Sequence, residues 1–203
     1  MQLEGGEQRL IQHLERHLGK MAGGWMRGPS GEQMPFQVAR FDSPPIRACT
    51  AFATVGLSSF PLRSNPPGRD IYLELFMIMR RADAVIGIPD LLQTAGTGML
   101  ASGVAILRGD VLGPRGPIWP QSRLEAFYVA SPAYLPDEFA GCDLENGVRC
   151  AIAWLVPITR GEADYVKARG WRAFEEVLAT EDPDLLQFDR AEMKLAPPRP
   201  RPS

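Results

Sequence analysis

His13 and His17 lie four residues apart in the stretch His-Leu-Glu-Arg-His, so a helix would put both on one face. Imidazoles at that spacing can share a zinc ion when a glutamate directly follows the first histidine and reaches the metal-bound water. Here Glu15 comes two positions after His13, about 200° round a helix and on the far side. The chain has only these two histidines, so there is no third imidazole. The expectation is no metal site, with both histidines solvated beside an apolar stripe. The same scarcity argues against a Ser–His or Cys–His nucleophilic pair, since the base must lie beside the nucleophile. Gly96-Thr97-Gly98 lacks the third glycine and the strand-to-helix setting of a dinucleotide fingerprint. It reads as a small-residue packing face inside a helix. The carboxylate pairs Asp70/Glu74 and Glu175/Glu176 read as surface charge. No catalytic, cofactor-binding or metal-ligating residue is assigned, no cofactor is expected, and the chain is expected not to be an enzyme.

Bulk properties point the same way. A chain of 203 residues with 45% apolar content is expected to form a single domain over residues 1–195. The proline-rich run 196–203 reads as a disordered tail. A net charge of −2 and a pI near 5.8 lack the basic excess of a nucleic-acid binder. No run reaches the roughly 20 apolar residues of a membrane span. The first residues lack the basic and apolar regions of a signal peptide, so the expected setting is cytoplasmic. Cys49, Cys142 and Cys150 form an odd set, read as small hydrophobes in a reducing compartment.

The elements that would carry any site follow from periodicity. Residues 7–18 read as an amphipathic helix, with Leu10, Ile11, Leu14 and Leu18 on one face and Gly19 at its end. Residues 23–32 read as a loop. Strands are expected over 36–41, 48–55, 71–79 and 124–130, with a broken one over 104–107 and 110–112. Residues 58–69 and 131–147 read as loops. A helix should start at Pro89 and stop at Gly103. The strongest signal is an apolar run over 150–158 that meets Thr159 and Glu162, which have the spacing of a capping box. The helix that follows should break at Gly170 into 160–169 and 171–180. A last short strand is expected over 186–188. These elements give an α+β fold with a mixed, mostly antiparallel central sheet packed by helices.

The order of motifs resembles the Suppressor of fused (SUFU) domain family, in particular its bacterial stand-alone members. The matching pieces are Thr54-Val55-Gly56-Leu57-Ser58, Leu73-Glu74-Leu75, Pro89-Asp90-Leu91-Leu92, Gly109-Asp110, Ala153 to Thr159 with Glu162, and Asp189-Arg190. They run in order over about residues 10–192. Beside the eukaryotic regulator, the chain is expected to lack the second, C-terminal domain. The resemblance implies a non-catalytic protein-binding domain. Bacterial relatives imply an immunity-type role, with a toxin domain encoded nearby as the partner. A scaffold with a non-toxin partner and an enzyme remain the alternatives. By position, the family's peptide groove falls on residues 59–70, which makes Phe60, Leu62, Arg63, Asn65 and Arg69 the candidate partner-binding residues. Gly56 and Thr159 read as structural.

Overall fold

The structure, a computed structural model, describes residues 5–66, 68–83, 87–144 and 147–195. Among these, nine strands form one sheet. They are β1 (Met21–Arg27), β2 (Gln33–Phe41), β3 (Cys49–Val55), β4 (Leu62–Arg63), β5 (Asp70–Arg80), β6 (Val111–Leu112), β7 (Leu124–Ala130), β8 (Gly141–Asp143) and β9 (Arg149–Thr159). The main path runs β1-β2-β3-β5-β9-β7-β6, with β4 on β5 and β8 on β9. All strand pairs are antiparallel except β5 with β9, so the sheet is mixed and mostly antiparallel, as expected. The helices are α1 (Gly5–Leu18), α2 (Ile88–Ser102), α3 (Arg160–Arg169) and α4 (Trp171–Glu181).

Helices cover both faces of the sheet. Leu10, Leu14 and Leu18 of α1 pack with Ala163, Val166 and Phe174 of α3 and α4 over one cluster, which holds Phe76, Trp154 and Ile158. On the other face, Ile88, Leu92 and Met99 of α2 pack on Phe36, Leu75 and Leu155. That is why β9 reads as a nearly continuous apolar run: it is covered on both sides.

The strand-to-helix junction forms as its residues dictate. The Thr159 hydroxyl accepts from the Glu162 N–H at 3.1 Å, and the Thr159 N–H donates to the Glu162 carboxylate at 3.0 Å. Pro157 sits within β9 beyond the stretch paired with β5. Its carbonyl accepts from the Arg190 guanidinium at 3.2 Å. A strand residue's N and O point the same way, so the missing N–H lies on that side and no ladder bond is lost. Gly170 breaks the helix where expected.

Gly96 fulfils the small-residue packing reading. A Cβ placed there would lie 2.4 Å from the Phe36 Cζ, whereas one at Gly98 would meet nothing within 4 Å. Helix propensity favours alanine at both by up to about 1 kcal/mol. Overpacking against the buried Phe36 ring costs about 1–3 kcal/mol, which outweighs that gain at Gly96 only. Gly98→Ala is therefore expected to raise stability, and Gly96→Ala to lower it. Opposite shifts in the urea midpoint check this, and shifts of the same sign would refute the packing argument.

Five local expectations differ from the structure. Residues 104–107, expected as the first half of a broken strand, hold only an isolated bridge from Val104 to Arg63, and the strand is confined to β6. Residues 23–27, placed in a loop, belong to β1. This is an exposed edge strand whose glycines and largely solvated side chains give no apolar alternation. Residues 141–143, also placed in a loop, form β8, which is too short to show a period. The loop after Ser58 contains the two-residue strand β4. Residues 186–188 are turn, not strand, although Leu186 and Phe188 are buried as a strand there would have required. The tail 196–203 lies outside the described residues.

Candidate functional site

Glu74 organises the region singled out by the sequence. It lies on the same face of β5 as Phe76 and Ile78 and is fully buried, not the surface charge expected of Asp70/Glu74. Its carboxylate accepts from the Thr54 hydroxyl at 2.6 Å, the Gly56 N–H at 3.1 Å, the Ser58 N–H at 3.0 Å and the Ser58 hydroxyl at 2.7 Å. The Thr54 oxygen in turn accepts the Leu75 N–H at 2.8 Å. Burial pushes the Glu74 carboxyl above its ordinary value, against the pull of these four donors. The adjacent Cys150 thiol is raised well above its ordinary value, first by burial and then by the Glu74 charge.

These bonds hold the short 3-10 turn Leu57–Ser59. Gly56 enters it at φ 99°, and a Cβ there would lie 2.9 Å from the Glu7 Oε1. Only glycine takes that conformation without strain.

Beyond the turn the chain makes a hairpin. Leu62 and Arg63 pair with Ile71 and Asp70, and the other side of Arg63 is bonded to the backbone of Gly103 and Ala105. Phe60 at the entry is 38% exposed. Arg63, Asn65 and Arg69 are exposed, and neither arginine makes an ion pair among the described residues. Leu62 differs. At 2% exposure it is packed with Leu73 and Leu75, so it fastens the hairpin to the sheet and cannot face a partner. The sequence places the apolar residues of this segment but not which of them are capped by β5.

Two further polar clusters fix the framework. Arg190 forms a two-pronged ion pair with Glu162, both bonds 2.7 Å, with side chains 5% and 0% exposed. Glu175 accepts from Arg108 at 2.9 and 2.6 Å and from the Tyr128 hydroxyl at 2.8 Å, so it too is not the lone surface charge expected of Glu175/Glu176. An open cleft of about 390 Å³ is lined by Ile46, Arg80, Tyr134, Asp182, Pro183, Asp184 and Leu186. Its charges include the Arg80–Asp184 ion pair at 2.7 Å.

The histidines are not simply solvated. His13 is buried, stacks on Phe139 with ring centroids 5.9 Å apart, and lies 3.2 Å from the Phe139 carbonyl. Among the described residues no group of three or more His, Cys, Asp or Glu is placed to hold a metal. Burial lowers the pKa of both His13 and His17 below the ordinary 6.5. The folded state then binds fewer protons than the unfolded state just below pH 6.5, so stability falls as the pH drops from there through the folded values. Comparing urea midpoints at pH 7 and pH 5.5 for the wild type and His13→Gln tests this. The variant should show the smaller drop, and an equal drop would assign the effect to other groups.

A mixed sheet layered between helices, with an anchored hairpin beside its central strands, defines an α+β domain of the kind seen in solved Suppressor of fused structures. The chain belongs to the Suppressor of fused protein (SUFU) family, whose sequence profile matches residues 32–191. A SUFU homologue from Neisseria gonorrhoeae FA 1090 superposes with a TM-score of 0.73 at 18% identity, covering 94% of this chain and 98% of that one. The crystal structure of a Sufu–Fu complex gives a TM-score of 0.67 at 17% identity, covering 93% of this chain and 92% of that one. Drosophila Suppressor of Fused gives 0.67 at 17%, and the match spans 51% of that longer chain. No curated protein matches the sequence. The Sufu of the complex is held with Fu, so a domain of this fold takes a protein partner there. No described helix is long and apolar enough to cross a membrane.

Proposed function

We propose that this chain is a non-catalytic protein-binding domain, with residues 1–195 acting as one unit, that meets its partner through the hairpin of residues 59–70. The observation that carries this reading is an exposed tip on a rigid foot. Glu74 fixes the turn beneath the hairpin with four bonds, while Phe60, Arg63, Asn65 and Arg69 face solvent above it. A surface ordered before binding loses little entropy on association. Two arginines with no ion pair among the described residues suit an acidic patch on the partner, and the aromatic ring supplies an anchor.

On this reading the role is that of an immunity-type protein that binds and neutralises a toxin domain in the cytoplasm, a compartment suited to three free thiols. A regulatory, non-toxin partner is the second reading, favoured by the Sufu–Fu complex.

The test is co-expression with the product of the neighbouring gene. Rescue of growth and a co-purifying complex are expected. Arg63→Glu with Arg69→Glu should weaken that complex at least tenfold, about 1.4 kcal/mol, with the melting temperature unchanged. Phe60→Ala should do the same. A complex indifferent to all three substitutions would move the interface elsewhere. Toxicity without rescue would remove the immunity reading.

A further inference from the structure

Cys142 on β8 and Cys150 on β9 stand directly opposite one another in an antiparallel ladder. Gly141 pairs with Ala151 on one side of them and Asp143 with Arg149 on the other, with no shift of register. Opposed residues send their side chains to the same face. Cys142 belongs to the cluster packed by α1, and alternation along β9 puts Cys150 on the face of Ile152 and Trp154, which belong to it too. Both thiols are free and buried. The Leu144 N–H donates to the Val148 carbonyl at 2.7 Å, so alternation makes Cys142 and Cys150 a hydrogen-bonded pair as well. Such pairs hold their Cα atoms about 5.5 Å apart, within the roughly 4.4–6.8 Å of a disulfide. Their Cβ atoms lie about 4.5–5.5 Å apart, wider than the roughly 3.8 Å mean of a disulfide. Closing the bond therefore draws β8 inward. That strand has three residues and pairs only with β9 among the described residues, so it is free to shift. The third thiol, Cys49, stands opposite Arg80 and has no such partner.

We propose that Cys142 and Cys150 are a reversible oxidative modification site, which closes to a cross-strand disulfide clasping β8 to β9 beneath α1. The co-reactant is a small-molecule disulfide of the glutathione class. The Cys142 thiolate attacks one sulfur of glutathione disulfide, and the first glutathione leaves with the Cys142 proton. The Cys150 thiolate then attacks the Cys142 sulfur of the mixed disulfide, and the second glutathione leaves with the Cys150 proton. The two cysteines lose two electrons and glutathione disulfide gains them. Cys142 is the thiol that starts, at 6% exposure against 0% for Cys150. Burial and the Asp143 charge push its thiol up, but Arg16, Arg9 and Arg149 pull it back, whereas burial and then the Glu74 charge hold the Cys150 thiol well above its ordinary value. Opening of β8 exposes it. The Asp143–Arg149 ion pair at the end of that strand is exposed to solvent and resists opening little. Strain in the closed ladder makes the bond easy to reduce, so it acts as a switch and not as a permanent staple. This inference does not depend on the hairpin of residues 59–70.

Peptide mapping of the native protein in glutathione buffers of graded oxidised-to-reduced ratio tests it. Free thiols are blocked before digestion. Trypsin cuts after Arg149, so Cys142 and Cys150 fall on separate peptides, 124–149 and 150–160, that only the disulfide joins. The joined peptide should appear as the ratio rises and vanish as it falls, with Cys49 free throughout. The urea midpoint of the oxidised protein should be the higher. Cys142→Ala should leave Cys150 reduced and the midpoint indifferent to the buffer, with the melting temperature confirming that the variant is folded. Absence of the joined peptide from native wild type overturns the proposal. So does a joined peptide that forms only in urea, one that includes Cys49, or one that reduced glutathione cannot reopen. Glutathione retained on Cys142 with no joined peptide would assign a single-thiol modification and overturn the clasp.

Discussion

Arg190→Met is expected to destabilise the protein by about 3–5 kcal/mol, among the largest effects of any single substitution outside the apolar core. The guanidinium is buried against Glu162 through two bonds of 2.7 Å and also donates to the Pro157 carbonyl. Removing it leaves a carboxylate at 0% exposure without a cation, still bound to the Thr159 and Met193 N–H groups. An unpaired buried charge costs far more than the pair contributes over an apolar replacement. Arg190→Met with Glu162→Gln should therefore recover part of the loss, since the amide keeps an oxygen for the capping bond. An ion pair nearer the surface gives the contrast. Arg160, 56% exposed beside Glu125, should cost only about 0–1 kcal/mol on truncation. Denaturant titrations with matched m-values measure all three. A loss below 1 kcal/mol for Arg190→Met, or a double variant no better than the single one, would contradict the burial argument.

Glu74→Ala should cost a similar amount, about 3–5 kcal/mol, for a different reason. Two backbone N–H groups, of Gly56 and Ser58, lose their acceptor inside the protein, at about 1–3 kcal/mol each, and a cavity remains. The hydroxyls of Thr54 and Ser58 can rotate to other acceptors and add less. Glu74→Gln should be far milder, about 1 kcal/mol or less. Its amide oxygen keeps the three donors on Oε1, and its NH2 can donate to the Thr54 oxygen. The pH dependence separates the two forms. A carboxyl raised by burial holds its proton more tightly folded than unfolded. Its contribution is full below the unfolded value of 4.5 and is lost as the pH rises through the folded value. The difference between wild type and Glu74→Gln should follow that course, with the wild type losing ground as the pH rises. A difference independent of pH would show that the buried carboxyl is not raised. Glu74→Ala should also free the turn beneath the hairpin and speed tryptic cleavage after Arg63. An unchanged cleavage rate would detach the hairpin from its supposed foot.

The elements read correctly from sequence share one property: their signals are local. The capping box needs residues three apart, the helix break needs Gly170, and the burial of β9 on both faces shows in its own apolar run. The small-residue face at Gly96 was legible for the same reason. Elements whose own side chains carry no period are not legible in this way. β1 and β8 are strands because β2 and β9 pair with them, and little in their own side chains requires it. His13 was assigned to solvent because Phe139, which covers it, lies 126 residues away. The burial of Glu74 does have a signal in the sequence: a carboxylate alternating in step with Phe76 and Ile78 shares their face, and a charge there must be buried with donors.

The sequence by itself determined the α+β class, most element boundaries, the structural roles of Gly56 and Thr159, and a family resemblance that the profile over residues 32–191 bears out. Through that resemblance it put the candidate partner-binding residues in the segment 59–70. The tertiary structure alone decided which hairpin residues face outward, turning Leu62 inward while leaving Phe60, Arg63, Asn65 and Arg69 exposed. It alone placed Glu74 beneath the turn, joined Glu162 to Arg190, and left β1 as an open edge. The reason is physical. Propensity, caps and periodicity act over a few residues, whereas burial of the Glu74 and Glu162 charges depends on segments 16 to 28 residues away, brought together only when the sheet closes.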